Sequence, residues 1–172
     1  METALVSMVC VALIIISSVT MMVSSFTSVS TIVESWQQME EEADNIRRTD
    51  ISSIPPENYT GGIIDLFVSN EGETNLISFD EWDVIARYQT GGVCYINYTD
   101  DPLPGINQWT VADLYLSDNL SISEIFDPDI LNPEESIHLK INLDPEITVG
   151  EKGLISISTE NGVTSQCLIS RN

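Results

Sequence analysis

The uncharged N-terminal stretch constrains this chain most, because residues 3–33 contain no charged residue, no Pro and no Gly. The stretch reads TALVSMVCVALIIISSVTMMVSSFTSVSTIV. A bilayer needs only about 20 apolar residues, so this run is longer than one crossing requires. Nothing in it breaks a helix, and SWQQMEEEADNIRRTD continues the helical composition. We predict that residues 1–50 form one hydrophobic N-terminal helix, roughly 70 Å long at about 1.5 Å per residue.

The charges at the two ends of this helix bear on its orientation in a membrane. Glu2 is acidic and no cation precedes the apolar run, unlike a secretory signal, which starts with basic residues. The nearest cations, Arg47 and Arg48, follow the run, and the positive-inside rule would then place the next domain in the cytoplasm. Glycosylation sequons argue weakly for the opposite side. We expect Met1 to be the mature N-terminus, left after removal of a basic leader.

The second half of the helix is rich in small hydroxyl residues, which let helices approach one another closely. Burying about 30 mostly apolar positions at about 1 kcal/mol each makes exposure to water prohibitive. The helix must therefore lie in lipid or against other helices. One interpretation is a monomeric anchor with a Ser/Thr-rich outer half, and the other is a helix surrounded by copies of itself. The second interpretation assigns helix packing to Ser17, Ser18, Ser24, Ser25 and Ser28.

The composition changes after the helix, where 20 acidic residues stand against four basic ones from Ile51 onward. Pro55-Pro56 and Gly61-Gly62 predict a linker over residues 51–62. Short strand-like runs then recur between turn residues, which predicts a sandwich over residues 63–172. The candidate strands are Ile63–Ser69, Leu76–Phe79, Trp82–Gln89, Val93–Tyr98, Trp109–Leu116, Leu120–Phe126, Ser136–Leu143, Leu154–Glu160 and Val163–Ile169.

The predicted fold class is therefore modular α+β, a long N-terminal hydrophobic helix followed by an all-β, immunoglobulin-like sandwich. Asn161-Gly162 between the last two strands is a strong hairpin signal. About 110 residues can bury a sound core. The predicted core residues are Trp82, Ile85, Tyr88, Trp109, Leu114, Ile137, Leu139, Ile141, Ile155 and Ile157.

This architecture resembles that of archaellins, the subunits of the archaeal motility filament, which are relatives of type IV pilins. Two C-terminal stretches are similar in detail: DPDILNPEESIHLKINLD, with a Pro-Glu turn before an alternating strand, and GLISISTENGVTSQCLIS, with a closing hairpin. The N-terminus departs from the pattern. Type IV pilins carry Glu at the fifth mature position, where this chain has Leu5, and archaellins usually start with small residues.

The resemblance implies a structural subunit of an extracellular, cell-surface filament for motility, with helices bundled in the core and sandwiches outside. The helix would sit in the membrane before assembly. The implied partners are other copies of the chain, a prepilin-type peptidase and an assembly platform. The alternative is a membrane-anchored minor or accessory protein whose sandwich binds a surface layer or a filament.

No residue set for catalysis or for a cofactor appears in the sequence, so we predict no enzyme. The only histidine, His138, lies in a strand-like run and has no second histidine for a zinc site. Acidic pairs at Asp100-Asp101 and Asp127–Asp129 leave surface calcium binding open, without predicting a metal site. A net charge of −21 excludes nucleic acid, whose phosphates need Lys and Arg.

The cysteines and the sequons are only weak evidence on the location of the domain. Cys94 and Cys167 lie in candidate strands, and an extracellular location would allow them to pair, although sequence cannot place their Cα atoms within range. Three glycosylation candidates stand in or beside predicted turns, namely Asn58, Asn97 and Asn119.

Overall fold

The structure is a computed structural model that describes residues 2–56, 59, 61–116 and 122–171. It divides into two compact units, Met1–Ala43 and Asp44–Asn172. Helix α1 covers Glu2–Arg48, as the run free of Pro and Gly predicts. The second unit, here called the β-domain, contains the last turn of α1 and all the strands. The predicted fold class is thus confirmed.

The described residues of the β-domain form eight strands in one sheet, in the order β1-β2-β6-β5-β4-β3-β7-β8. Neighbouring strands are antiparallel, except that β4 and β5 pair in parallel through two positions only. At the other end of the order, the Ser53 amide of β1 donates to Ser165 Oγ of β8 at 3.0 Å, so the sheet closes almost completely on itself. The strands are β1 Ile51–Ile54, β2 Ile63–Asn70, β3 Asp83–Tyr88, β4 Val93–Tyr98, β5 Gln108–Leu116, β6 Glu135–Asn142, β7 Lys152–Ser158 and β8 Thr164–Ser170.

Alternate residues of these strands fill one core, as the two-residue period of a strand requires. Eight of the ten predicted core residues are buried. The prediction that Ile85 lies in the core is wrong, because the side chains of Val84 and Ala86 on β3 point inward and leave Ile85 37% exposed. Tyr88, also predicted to be in the core, is half-buried and packs against it.

Three predicted segments differ from the structure. The first four residues of the predicted linker, 51–62, form β1, which pairs with β2 from Ile51 opposite Asn70. In place of a strand at Leu76–Phe79, there is a single bridge from Leu76 to Leu131 and then a 3-10 turn over Phe79–Glu81. The turn follows Ser78, whose positive φ of 52° ends the extended path.

The predicted strand Leu120–Phe126 begins outside the described residues. Its described part, residues 122–126, makes one bridge, from Ser123 to Tyr115, and otherwise runs as a loop. The loop form has a local cause, because the Glu124 carboxylate accepts the amide hydrogens of the residues that follow it. These bonds hold the chain in a turn.

Candidate functional site: the exposed helix and its joint with the β-domain

The surface of α1 is apolar over residues 3–33 and uncovered. Every side chain from Thr3 to Ala43 is exposed, and Leu5, Ile14 and Phe26 are 62–68% exposed. The helix is long and apolar enough to span a membrane by length and composition. Such a surface is stable only in lipid or against other apolar surfaces.

Residues 22–36 of α1 present two different faces. Residues three and four apart share a face of a helix, and Met22, Phe26, Val29, Val33 and Trp36 follow that spacing and are 46–66% exposed. A second set of residues lies on the opposite face, because each of them comes two positions after one of these apolar residues, which is about 200° around the helix. That set consists of the small hydroxyl residues Ser24, Ser28, Thr31 and Ser35. One face is therefore large and apolar, and the opposite face is small.

The hydroxyl groups of this helix are largely satisfied by its own backbone. Ser17 and Ser18 donate to the carbonyls of Leu13 and Ile14 at 2.8 Å, and Ser25 and Ser28 donate to the carbonyls four residues earlier at 2.9 Å. A hydroxyl bonded in this way can enter an apolar environment without losing its hydrogen bond. The five predicted helix-packing serines are all exposed, and their packing role stays a prediction.

Within the β-domain, the last turn of α1 is joined to the strands by a polar network around the buried residue Thr49. The Thr49 hydroxyl donates to the Asn45 carbonyl at 2.8 Å and lies 2.6 Å from the Thr74 hydroxyl. The side-chain amide of Asn161 donates to the same Thr49 oxygen at 2.6 Å. One hydroxyl thus connects the helix end, the turn after β2 and the β7–β8 hairpin.

The turn after β2 also satisfies the carbonyl group of the last residue of α1, which has no partner within the helix, and that of a residue just beyond it. The Glu73 amide donates to the Arg48 carbonyl at 2.8 Å, and the Gly72 amide donates to the Asp50 carbonyl at 3.0 Å. The approach is so close that a Cβ on Gly72 would lie 2.5 Å from the Asp50 nitrogen and 2.6 Å from the Arg48 oxygen. Only glycine fits at this position.

Ion pairs surround the joint. Arg48 lies 3.8 Å from a carboxylate oxygen of Asp44 and 3.2 Å from one of Glu73. These side chains are well exposed, so the pairs contribute at most about 1 kcal/mol each. The buried network around Thr49 and the close contact at Gly72 are therefore the main constraints at the joint.

The structure does not bring the two β-domain cysteines together. Cys94 and Cys167 are both free, and they align in one row as Cys94–Ala86–Ile155–Cys167 across β4, β3, β7 and β8. Three strand spacings are about 14 Å along the sheet, whereas a disulfide needs Cα atoms within about 7 Å. Burial raises the pKa of both thiols, and Asp144 raises that of Cys94 further.

The other candidate site residues are dispersed. Asn97 is an exposed residue near the end of β4, whereas Asn58 and Asn119 lie outside the described residues. His138 Nε2 lies 2.9 Å from an oxygen of Asp65, and its ring stacks on Phe67 at 4.5 Å between centroids. His138 is thus a satisfied strand residue. Within the described part of the chain, no group of three His, Cys, Asp or Glu side chains could hold a metal ion.

Comparison with solved structures places this fold among archaellum proteins. The chain is similar to the archaellum periplasmic stator protein FlaG from Sulfolobus acidocaldarius, with a TM-score of 0.52 and 19% identity over 70% of this chain and 98% of that one. The FlaF–FlaG stator complex from the same organism gives a TM-score of 0.51 and 19% identity, covering 69% of this chain and 86% of that one.

Archaeal flagellin FlaB1 from Methanocaldococcus jannaschii gives a TM-score of 0.53 with 10% identity, over 71% of this chain and 90% of that one. No protein-family model and no curated protein matches the sequence. The predicted resemblance to archaellins is therefore confirmed at the level of the fold, which a stator protein and a flagellin share.

Proposed function

We propose that this chain is a non-catalytic structural component of an archaellum-type apparatus, with α1 in the membrane or in a helical bundle and the β-domain outside the cell. The observation that carries the proposal is the apolar surface of α1 over residues 3–33, all of which are exposed. The residues beyond the first 20 exceed the thickness of the hydrocarbon layer. Their large apolar side chains therefore need protein partners.

The two faces of α1 over residues 22–36 support self-assembly into a motility filament. Large side chains such as Phe26 on one copy fit against small ones such as Ser28 on the next, because small residues let helix backbones approach. A face that pairs with a different face leaves one free face at each end of a pair, so further copies can add, and a rotation that does not close produces a helical filament. In this arrangement a prepilin-type peptidase and an assembly platform would process and place the subunits.

A second arrangement, a membrane-anchored accessory of the stator kind, is favoured by the acidic run near the end of α1. Glu40, Glu41 and Glu42 are consecutive and exposed, so they point to different sides of the helix. Close packing of many copies at this level would bring like charges together. The fold shared with the FlaG stator domain supports this arrangement equally.

Shearing of cells that express the full chain distinguishes the two arrangements. A filament subunit is expected to leave the cells as long particles that sediment and appear in negative-stain images. An accessory stays in the membrane fraction at low copy number. Recovery of the chain as a soluble protein with no membrane or filament fraction would contradict both arrangements and the proposal itself.

A further inference from the structure

The loop between β5 and β6 holds two large apolar side chains in solvent. Ile125 and Phe126 are 80% and 88% exposed. The loop is not irregular, because Glu124 Oε1 accepts the amide hydrogens of Ile125 at 3.0 Å and of Asp127 at 3.3 Å, and also that of Phe126. A fixed turn therefore presents an apolar tip, and Asp127 and Asp129 follow it directly.

A groove of about 440 Å³ lies on the β3–β7–β8 part of the sheet. Arg87, Lys152, Leu154 and Leu168 line it, and the register aligns Leu154 with both Arg87 and Leu168. Leu168 is 54% exposed. The groove thus combines an aliphatic floor with two cations.

The two cations of the groove are unusual for this chain, which has only six Lys and Arg residues and a net charge of −21. Arg47, Arg48 and Arg171 all form ion pairs with carboxylates. Among the described residues, Arg87, Lys140 and Lys152 have no such partner, and Arg87 and Lys152 share one groove. Two unpaired cations beside the half-buried Leu154 and the exposed Leu168 match a ligand that carries carboxylates next to aliphatic or aromatic side chains.

The loop has that chemistry, and we infer that residues 124–130 of one copy dock into the Arg87–Lys152 groove of a second copy. Phe126 and Ile125 would cover Leu154 and Leu168, while Asp127 and Asp129 would face the two cations. The loop cannot fill the groove of its own chain, because it joins β5 to β6, and β4 separates these strands from β3, β7 and β8. Insertion of the tip into lipid is disfavoured, since the adjacent aspartates would lose water without gaining a partner.

The proposed contact joins two different surfaces of the same chain. Such a contact leaves a free loop at one end of a pair and a free groove at the other, so it can continue from copy to copy. The inference goes beyond the packing of α1 and does not depend on it. It applies to a filament sheath and to a row of anchored β-domains alike.

Photo-crosslinking of the full chain tests the contact. Phe126 is replaced by p-benzoylphenylalanine, and unlabelled chains are mixed with ¹⁵N-labelled chains in phosphatidylcholine vesicles. Crosslinks between differently labelled chains are expected at β3, β7 or β8 around the groove. Crosslinks to lipid alone, or to other surfaces of the chain, would overturn the inference.

Charge reversal makes the test specific. The paired change Arg87→Glu with Lys152→Glu is expected to lower the crosslink yield about tenfold, because like charges then face each other. Lys140→Glu, a reversal on β6 away from the groove, serves as the matched control and leaves the yield unchanged. The further pair Asp127→Lys with Asp129→Lys, added to the groove variant, restores the yield. Failure of this rescue, while the domain keeps its thermal midpoint, would refute the contact. The readout is the crosslink yield alone, which does not depend on whether the chain forms filaments.

Discussion

The side-chain amide of Asn161, at the tip of the β7–β8 hairpin, donates to the hydroxyl of Thr49, the residue that follows helix α1, at 2.6 Å. The two residues are 112 positions apart in sequence, and the Thr49 side chain is buried. The bond therefore attaches the end of the helix to the last hairpin of the β-domain.

The close contact at Gly72 gives the first prediction. Gly72→Ala places a methyl group against the Asp50 nitrogen and the Arg48 oxygen, and both are backbone atoms that cannot move aside alone. We expect a loss of about 1–3 kcal/mol in the free energy of unfolding of the β-domain. Hydrogen exchange at the amides of residues 71–73 should also accelerate.

The matched control is Gly105→Ala, where the new methyl group would meet only the end of the Gln108 side chain. That side chain can rotate away, so the effect is expected to be smaller. Equal losses at the two glycines, with unchanged exchange at 71–73, would contradict the account of the joint.

The Thr49 hydroxyl gives the second prediction. Thr49→Val keeps the shape of the side chain but leaves the Asn161 amide and the Thr74 hydroxyl without their partner. An unsatisfied buried group costs about 1–3 kcal/mol, and we expect a loss of that size in chemical unfolding. In a double-mutant cycle, Asn161→Ala should cost much less in the Thr49→Val background than in the parent chain. Additive losses would mean that the two side chains do not interact.

Alkaline pH gives the third prediction. The Tyr88 hydroxyl donates to the Pro145 carbonyl at 2.6 Å, and burial, with Cys94, Tyr59 and Asp144 nearby, raises the pKa of Tyr88 from 10.0 to about 12. A group whose pKa is raised on folding contributes stability that is fully present below its unfolded pKa. That contribution is lost as the pH rises from 10 through 12.

Thermal midpoints of the parent chain and of Tyr88→Phe, measured from pH 9 to 12, check this expectation. Tyr88→Phe removes the titrating group, so its midpoint should fall less steeply with pH than that of the parent. Burial, and to a smaller extent a hydrogen bond to Asp100, likewise raises the pKa of Tyr98 to about 12. Some loss of stability at alkaline pH therefore remains in the variant. A steeper fall in Tyr88→Phe would be incompatible with the assigned direction.

Thiol labelling gives the fourth prediction. Burial raises the pKa of Cys94 and of Cys167, and Cys167 is 2% exposed. We expect maleimide to react slowly with Cys94 and hardly at all with Cys167 in the folded chain, because the thiolate is the reactive form. Unfolding without a reducing agent should release both thiols. Detection of neither thiol under those conditions would mean that the two cysteines pair.

The sequence predicted the parts of the fold that depend on local pattern. The long helix follows from a run without Pro or Gly, and the hairpin follows from Asn161-Gly162, where the structure joins β7 to β8. β1 was missed because Pro55-Pro56 and the glycines nearby suggest a linker. A strand of four residues is recognisable only through its pairing with β2, and that pairing depends on the tertiary structure.

The joint and the groove could not be predicted in the same way. Gly72 looks like an ordinary turn glycine in sequence, and only the approach of residues 48–50 explains it. Arg87 and Lys152 are 65 positions apart, so their shared groove depends on the register between β3 and β7. For Phe126, the apolar neighbours suggested a strand, whereas the Glu124 carboxylate turns the chain outward.

The packing of α1 is tested most directly by one substitution on its small face. Ser28 lies about 38 Å along the helix from Thr3 at about 1.5 Å per residue, beyond the hydrocarbon layer of a single anchor. Ser28→Arg should therefore leave the amount of chain in the membrane unchanged. In a packed bundle the same charge faces apolar side chains in every copy, at a cost of about 2.5–3.5 kcal/mol.

Sheared filament yield and membrane level are measured together for Ser28→Arg and for the matched variant Ser28→Ala, which keeps the side chain small. The account predicts normal membrane levels for both variants, filaments from Ser28→Ala, and none from Ser28→Arg. Filaments of normal yield that contain Ser28→Arg would contradict a core of packed helices.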